Sequence, residues 1–269
     1  MYEIVEVSLA SVRRLYDYHI NNTYGADFSI KGFDRPWLIS SRPWRKGERV
    51  LDVGAAYSNI PAYLQQTYNC EIWVADDFGL KSNESFWTRD RSPHEHIASH
   101  PEIKYVLERL GDPVSSLPEN YFDVVYSLSA LEHVPGELTP SVWSHMDRLL
   151  KPGGELIHAI DMPFPSNFGV SGFLKAAGFE FLFPLLLGSK REKYFRVTPR
   201  SYLKLAFPAI QLKLKHKDLA NLSPINMSFN PDVLTESYAH GLNRIRKDGV
   251  KSFRYQREGS LLVHLKKVA

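Results

Sequence analysis

The stretch Arg49–Gln65, RVLDVGAAYSNIPAYLQ, constrains the possible folds of this chain more than any other segment. It begins with an apolar run whose members are Val50, Leu51 and Val53. A short apolar run of this kind is typical of a parallel strand that is buried on both faces. The stretch therefore predicts an α/β protein in which this strand lies inside a mainly parallel sheet.

The residues after this strand predict a tight turn into a helix. The turn holds the small residues Gly54, Ala55 and Ala56, and Ser58 is expected to cap the helix that opens there. Pro61 falls in the first turn of that helix, where its missing N–H costs little. Free backbone N–H groups then lie beside the carboxyl end of a strand, where open α/β sheets bind anionic groups of ligands.

The spacing of this turn carries a family resemblance. The nucleotide fingerprint G-x-G-x-x-G is not matched, but Asp52 precedes Gly54 by two residues. The segment resembles motif I of the class I S-adenosylmethionine-dependent methyltransferases, commonly D/E-x-G-x-G-x-G, with Ala56 and Ser58 replacing the second and third glycines. Ala56 is expected to have a negative φ there. The resemblance implies that the turn, Asp52 and Ala55 included, binds the amino-acid end of S-adenosylmethionine.

Two acidic residues follow the next strand, which is predicted at Glu71–Ala75. An acidic residue roughly 20 residues beyond such a turn is placed to accept hydrogen bonds from ribose hydroxyls. In the resembling family Asp76 takes that position, and Asp77 is the alternative one residue further along. The alternative is that both residues are solvated acids at a strand end with no role in ligand binding.

A second phrase, GDPVSSLPENYFDVVYSLSALEHV at Gly111–Val134, extends the resemblance. In the family a Gly–Asp pair follows the third strand, predicted here at Ile103–Leu107, and the acid lies near the adenine amino group. The resemblance gives this role to Asp112, together with Gly111, and implies that Pro113 or Val114 can pack on the adenine ring.

The fourth strand is predicted at Tyr121–Tyr126, and in the family its carboxyl end, Ser127 and Leu128, faces the cofactor. A third phrase, LLKPGGEL at Leu149–Leu156, ends a helix that Thr139 and Pro140 are expected to open, and leads into a fifth strand at Glu155–Ile160. The three phrases together imply an α/β, Rossmann-like class I methyltransferase fold. Such a fold has a mostly parallel seven-stranded sheet with helices on both faces.

Three side chains near the ends of these strands are candidates for accepting a proton from a methyl acceptor: His133, His158 and Asp161. Histidine titrates near neutral pH and suits this role. The structural alternatives are a helix-start histidine bonded to backbone, a strand residue and a strand-end cap, respectively. Methyl transfer depends mostly on alignment, so a dedicated base can be absent.

No metal site is predicted. His94, His96 and His100 have a spacing that occurs in metal sites, but no cysteine or acidic cluster accompanies them. Ser129 stands where an acid-x-x-Glu-His metal motif would place its first acid. The segment Phe78–His100 is interpreted as a surface loop or a broken helix.

The composition of the chain excludes several other classes of protein. Of the 269 residues, 43% are hydrophobic and 23% are charged, as in ordinary globular proteins, and a net charge of +3 is too small to indicate a nucleic-acid partner. The single cysteine, Cys70, excludes an internal disulfide framework. The N-terminus lacks a signal pattern, and no apolar run approaches the roughly 20 residues that span a bilayer. We therefore expect a cytoplasmic protein.

Four parts are expected along the chain: a helical and aromatic cap at 1–45, a cofactor-binding core at 46–161, a lid or substrate-binding insert at 162–196, and a C-terminal completion of the core at 197–269. The cap is expected to hold an amphipathic helix that begins near Leu9 and ends near His19–Asn22, and irregular chain over 24–44. The completion is expected to hold a helix through Leu203, a strand at Ile210–Leu214, a helix from Asn230 and a last strand at Ser260–Leu265.

The insert bears on the acceptor. Phe173–Leu187 is strongly apolar, and Lys190–Asp218 holds nine Lys or Arg residues against two acids. Such a basic segment can steer an anionic substrate or meet a phospholipid surface, and a solubilising face is the alternative. The sequence thus predicts an S-adenosylmethionine-dependent methyltransferase that forms S-adenosylhomocysteine and methylates, on oxygen, a small amphipathic or anionic metabolite.

We expect no nucleic-acid partner, and a peripheral contact with a membrane or a lipid-linked substrate is compatible with the basic segment. The oligomeric state stays open, a homodimer included. Two other functions stay open: a methyltransferase-like binding protein without activity, and an NAD(P)-dependent oxidoreductase. The latter also needs a strand–turn–helix and an acid after the second strand, but Ala56 and Ser58 disfavour it.

Overall fold

The computed structural model describes residues 1–5, 31–79, 92–112, 115–163, 199–212 and 258–268. In chain order the elements are β1 (Tyr2–Ile4), α1 (Lys31–Ser40), β2 (Arg49–Val53), α2 (Ile60–Tyr68), β3 (Glu71–Ala75), α3 (Pro93–Ala98), β4 (Lys104–Val106), β5 (Phe122–Leu128), a 3₁₀ helix (Leu131–His133), α4 (Thr139–Leu149), β6 (Leu150–Pro163), α5 (Pro199–Ala206), a second 3₁₀ helix (Phe207–Ile210) and β7 (Glu258–Lys267).

The strands form one seven-stranded sheet in the order β1-β7-β6-β5-β2-β3-β4. Strand β2 pairs in parallel with β3 and β5, and β4 and β6 extend the parallel set on either side. Strand β7 is antiparallel to both β6 and β1. From β2 the sheet is extended to one side by β3 and β4, and from β5 to the other side by β6. At such a reversal of strand order, a ligand is expected in the crevice outside the carboxyl ends of β2 and β5.

The sheet is covered on both faces because successive strand residues point to opposite sides. On one face Leu51 and Val125 pack with Trp143 of α4 in one hydrophobic core. On the other face Val50 packs in a second core with residues of α1 and α2, among them Leu64. The predicted mostly parallel sheet of seven strands with helices on both faces is therefore confirmed.

The seventh strand comes from a part of the chain that the sequence does not predict. Ile210–Leu214 is predicted as a strand, but Ile210 ends a 3₁₀ helix and Gln211 has a left-handed backbone with a φ of +58°. Strand β1 takes the outer place instead by pairing with β7, and the Tyr2 hydroxyl donates to Asp147 Oδ1 at 2.7 Å. Three residues carry too little periodicity to be recognised as a strand without their partner.

Helix α1 is a second correction. The glycines and prolines of 24–44 predict irregular chain there, yet Lys31–Ser40 is helical with Pro36 inside it. Trp37 and Leu38 are buried against the sheet, and this burial outweighs the backbone hydrogen bond that Pro36 removes. The helix predicted from Leu9 to near His19–Asn22, the apolar segment at 173–187 and the helix from Asn230 lie outside the described residues.

The remaining predicted elements are confirmed with shifts at their ends. The strand predicted at Glu71–Ala75 is β3, with the same bounds. The strands predicted at Ile103–Leu107, Tyr121–Tyr126, Glu155–Ile160 and Ser260–Leu265 are observed as β4, β5, β6 and β7. Thr139 and Pro140 are the first helical residues of α4, with Leu138 as the N-cap, so Thr139 does not cap the helix as predicted. In the part of the chain that the structure describes, no helix has the length and apolar character needed to cross a membrane.

Candidate active site

The crevice at the carboxyl ends of β2 and β5 is built on a close approach of two backbones. Gly54 follows β2 with a φ of +73°, and a Cβ placed on it would lie 2.6 Å from the Cβ of Ala130. Its N–H donates to the Ala75 carbonyl at 3.0 Å, which ties the turn to the end of β3. Only glycine fits here without a shift of the neighbouring chain, so the turn after β2 packs directly against Ala130.

The turn continues in a left-handed conformation. Ala56 has a φ of +45°, so the expected negative φ is wrong, and its N–H donates to Asp76 Oδ2 at 2.6 Å. A left-handed alanine is strained, and this hydrogen bond helps to hold it. Ser58 is not the helix cap that the sequence predicts, because Asn59 is the N-cap; Ser58 Oγ accepts from the Ile60 N–H at 3.3 Å.

The two acids after β3 have different surroundings. The carboxylate of Asp76 accepts two backbone hydrogen bonds, from Ala56 and from Phe78, each at 2.6 Å. Burial raises the pKa of Asp76, and these two N–H groups oppose the rise. Asp77 is instead paired with Arg109 Nε at 2.6 Å and accepts from the Gly79 N–H. Of the two, only Asp76 is directed at the turn after β2.

Asp52 lies beneath this turn. It is 2% exposed, and burial raises the pKa of its carboxyl to about 8. Tyr126, its neighbour across the sheet, lowers that pKa, and the charge of Asp76 raises it further. Asp52 is therefore mainly protonated at neutral pH, and a positively charged ligand group nearby would favour its ionised form.

The Gly111–Asp112 pair lies in the loop that follows β4. Gly111 has a φ of +94°, and its N–H donates to His145 Nδ1 of α4 at 3.1 Å. Asp112 is half-buried and its N–H donates to the Arg109 carbonyl. Arg109 also pairs with Asp77, so this loop is attached to the end of β3. Pro113 lies outside the described residues.

Strand β5 ends in groups that face in different directions. The Ser127 hydroxyl is fully buried and hydrogen-bonded to His158 Nδ1 at 2.9 Å, while Leu128 is half-buried. Burial lowers the pKa of His158 to about 3. The centroid of its ring lies 5.2 Å from the centroid of the Trp143 ring. These surroundings favour the interpretation of His158 as a strand residue rather than a proton acceptor.

Acidic groups gather beyond the ends of β5 and β6. Asp161 Oδ1 accepts from the Ser129 hydroxyl at 3.1 Å. The Glu132 side chain is 2% exposed and its Oε2 has no hydrogen-bond partner; burial and the charges of Asp161 and Asp34 raise its pKa well above the usual range. His133 is half exposed, with Nε2 at 3.6 Å from Glu132 Oε1.

The structure thus brings the turn after β2 together with Asp76. It gathers Glu132, His133 and Asp161 beyond the carboxyl ends of β5 and β6. Three interactions are absent from the sequence prediction: the close approach of Gly54 to Ala130, the His145–Gly111 hydrogen bond, and the influence of the Asp34 charge on the pKa of Glu132. No local sequence pattern predicts these interactions, because each joins residues that are far apart in the chain. Among the described residues, no group of three or more His, Cys, Asp or Glu is arranged to hold a metal ion.

The arrangement favours a ligand that carries positive charge. Asp52 and Glu132 are buried acids whose raised pKa values favour the neutral form, and a cation nearby would favour their ionised forms. Ala56 N–H is already bonded to Asp76, so a pyrophosphate would find this donor occupied. The geometry therefore suits a ligand with a cationic centre better than a dinucleotide.

Comparisons with known proteins agree with this geometry. Residues 51–158 match a protein family described as "Methyltransferase domain". The sterol 24-C-methyltransferase of Pneumocystis carinii (strain B80) is 35% identical over 114 residues, which cover 41% of this chain and 27% of that protein. The chain thus spans about a quarter of the length of this curated relative.

Two solved structures share the fold. The phosphoethanolamine N-methyltransferase 2 of Haemonchus contortus, in complex with S-adenosyl-L-methionine, has a TM-score of 0.52 and 15% identity, over 95% of this chain and 56% of that one. The geranyl diphosphate C-methyltransferase of Streptomyces coelicolor A3(2), in complex with Mg²⁺, geranyl diphosphate and S-adenosyl-L-homocysteine, has a TM-score of 0.50 and 11% identity, over 99% and 92%. At these identities the likeness is one of fold.

Proposed function

We propose that this chain, whose residues 51–158 match the methyltransferase domain family, is a class I methyltransferase that transfers a methyl group from S-adenosylmethionine to a small molecule. The observation that carries the proposal is the hydrogen bond from Ala56 N–H to Asp76 Oδ2 at 2.6 Å. It holds the acid after β3 against the turn after β2, so that one ligand can reach both.

The residues of the crevice fit this cofactor. Gly54 packs directly against Ala130, where a side chain would clash, and the Asp76 carboxyl group lies against the next residues of the same turn. Acidic groups suit the cationic sulfonium and ammonium groups. In the proposal the turn from Gly54 to Ser58, with Asp52 below it, holds the amino-acid end. Asp76 accepts hydrogen bonds from the ribose hydroxyls through lone pairs that its two backbone partners leave free.

The other predicted cofactor residues have narrower roles. Asp112 reaches the adenine amino group from the loop after β4, while Asp77 holds that loop through Arg109. Ser127 is turned to His158, so Leu128 is the better contact at the end of β5. By this proposal 46–161 binds the cofactor, 162–196 covers the acceptor, and 1–45 and 197–269 complete the two ends.

The acceptor is proposed to be a hydroxyl group of a small amphipathic or anionic metabolite, lipid-linked molecules included. The apolar stretch Phe173–Leu187 and the basic stretch Lys190–Asp218 support this class. When bound, S-adenosylmethionine supplies an electrophilic methyl group on a sulfonium. The chain aligns the acceptor oxygen with it, and Asp161 or His133 takes the proton; His158 is too deeply buried for that exchange.

Calorimetric titration with S-adenosylmethionine and S-adenosylhomocysteine tests the cofactor. We expect both to bind the wild-type chain, and Asp76→Ala to weaken binding about 10-fold or more, the effect of losing hydrogen bonds to a charged group. Asp123→Ala is the matched control, because Asp123 likewise accepts from a backbone N–H, that of Arg49, but at the amino end of the sheet. Absence of binding to the wild type would refute the proposal.

Further measurements separate the alternatives. An oxidoreductase would bind NADH or NADPH in a fluorescence titration, and we expect no saturable signal. A binding protein without activity would retain cofactor affinity but transfer no labelled methyl group to a cell extract. If a labelled product forms, its mass spectrum and its methyl carbon chemical shift distinguish O-methylation from N- or C-methylation.

A further inference from the structure

Helix α4 holds Gly111 at three points. His145 Nδ1 accepts from the Gly111 N–H at 3.1 Å, and Ser141 Oγ donates to the Gly111 carbonyl at 3.2 Å. A Cβ on Gly111 would lie 2.9 Å from Val142 Cγ2. Both polar groups of this peptide segment are therefore bonded to side chains of one helix, and the space for a side chain is filled.

The loop is also held from the other side. Arg109 Nε pairs with Asp77 at 2.6 Å, and the Arg109 carbonyl accepts from the Asp112 N–H at 3.2 Å. Asp112 therefore follows a glycine that is fixed to α4 and is itself bonded to a residue fixed to β3. The Asp112 backbone, from which its carboxyl group projects, therefore has little freedom to move independently of α4.

We propose that His145 is a positioning residue for the adenine end of the cofactor site: through Gly111 it sets where Asp112 meets the adenine amino group. The proposal rests on the proposed function. His145 contacts no ligand in this scheme; it acts only through the peptide that precedes Asp112.

The hydrogen bond requires a particular protonation state. Nδ1 accepts from Gly111 only when the imidazole is neutral with its proton on Nε2, and protonation of Nδ1 would set two donors against each other. Burial and Arg148 of the same helix lower the pKa of His145, while Glu108, Glu119 and Asp112 raise it. Because the pKa is lowered on balance, the hydrogen bond is intact at neutral pH and breaks in acid.

Two variants separate the hydrogen bond from the bulk of the ring. His145→Asn places an amide oxygen near the position of Nδ1 and keeps an acceptor, whereas His145→Leu fills the space without one. His264→Leu is the control, since His264 is similarly buried, at 4% exposed against 3% for His145, and is hydrogen-bonded to Glu155 in another part of the sheet.

The readout is discrimination at the adenine amino group. Affinities for S-adenosylhomocysteine and for S-inosylhomocysteine, which lacks that amino group, are compared by calorimetry at pH 7.5. We expect His145→Leu to lose about 10-fold in affinity for the adenosine compound and little for the inosine compound, the effect of one misplaced hydrogen bond. His145→Asn and His264→Leu should keep the wild-type ratio.

The outcomes are distinct. If His145→Leu keeps the wild-type ratio, the proposal is overturned. If it does not fold, the wild type and His145→Asn are compared across the pH range in which the His145 ring itself is seen to titrate by NMR: the ratio should fall with that titration only in the wild type, and a fall in both or in neither overturns the proposal. If the wild type binds neither compound, the proposed function fails; the Gly111 amide resonance then tests the contact, and it must shift as His145 titrates.

Discussion

Replacing Gly54 by alanine should destabilise the protein more than replacing any glycine of similar backbone conformation that has open space around it. Gly47 is the natural comparison, because its φ of +77° is close to the +73° of Gly54, but a Cβ on Gly47 would have nothing within 4 Å. At Gly54 the same atom would lie 2.6 Å from the Ala130 Cβ. The difference between the two variants isolates the steric contact from the backbone strain.

The expected magnitudes follow from these two terms. A left-handed alanine costs about 1–2 kcal/mol, which the smaller freedom of the unfolded chain offsets by about 0.4–1 kcal/mol. Gly47→Ala should therefore lower the free energy of unfolding by about 1 kcal/mol. Overpacking adds about 1–3 kcal/mol, so Gly54→Ala should lower it by about 2–4 kcal/mol.

Urea unfolding followed by circular dichroism measures the change in unfolding free energy for each variant, provided that the dependence of this free energy on urea concentration is the same as in the wild type. Ala130→Gly provides the second half of a double-mutant cycle, because it removes the atom that the new Cβ meets. In the Gly54→Ala background it should restore about 1–3 kcal/mol relative to its effect in the wild type. The reasoning is refuted if Gly54→Ala costs no more than Gly47→Ala, or if the cycle shows no coupling.

Two further predictions concern the same turn. Ala56→Gly should raise the free energy of unfolding, measured in urea, by about 0.5–1 kcal/mol. It relieves the backbone strain of an alanine at a φ of +45° and keeps the N–H that donates to Asp76. A destabilised variant would contradict the assigned strain. The pKa of Asp52 is about 8 in the folded protein against 3.8 as its ordinary value, so the folded state holds a proton that the unfolded state has released, and stability falls as pH rises between these values. Asp52→Asn should make the slope of unfolding free energy against pH less negative by about 1.4 kcal/mol per pH unit over that interval, and an unchanged slope in parallel urea titrations would contradict it.

Much of the parallel sheet could be predicted from sequence because each element carries its own local signal. Val50, Leu51 and Val53 indicate a buried strand without reference to any other segment, and Glu71–Ala75 has the predicted bounds. Strand β1 could not be found in this way, since Tyr2–Ile4 becomes a strand only beside β7. Helix α1 failed for the opposite reason: Pro36 is a local signal against helix that the burial of Trp37 overrules.

The candidate site divides along the same line. The sequence could indicate the turn after β2 and two acids after β3, but not which acid faces the turn. The structure distinguishes them, because Asp76 accepts from Ala56 while Asp77 pairs with Arg109. It also separates the proton-accepting candidates, since His158 is buried with its pKa lowered to about 3 and Asp161 is only half-buried.

The class of fold, the position of the turn after β2 and the residue types in that turn can be inferred from the amino-acid sequence, because these depend on neighbours along the chain. Three other features emerge only from the folded structure: Gly54 passes close to Ala130, His145 holds Gly111, and β1 closes the edge of the sheet. These contacts join residues separated by 34 positions or more, and their distances are set by the packing of whole helices and strands. Local patterns carry no information about such distances.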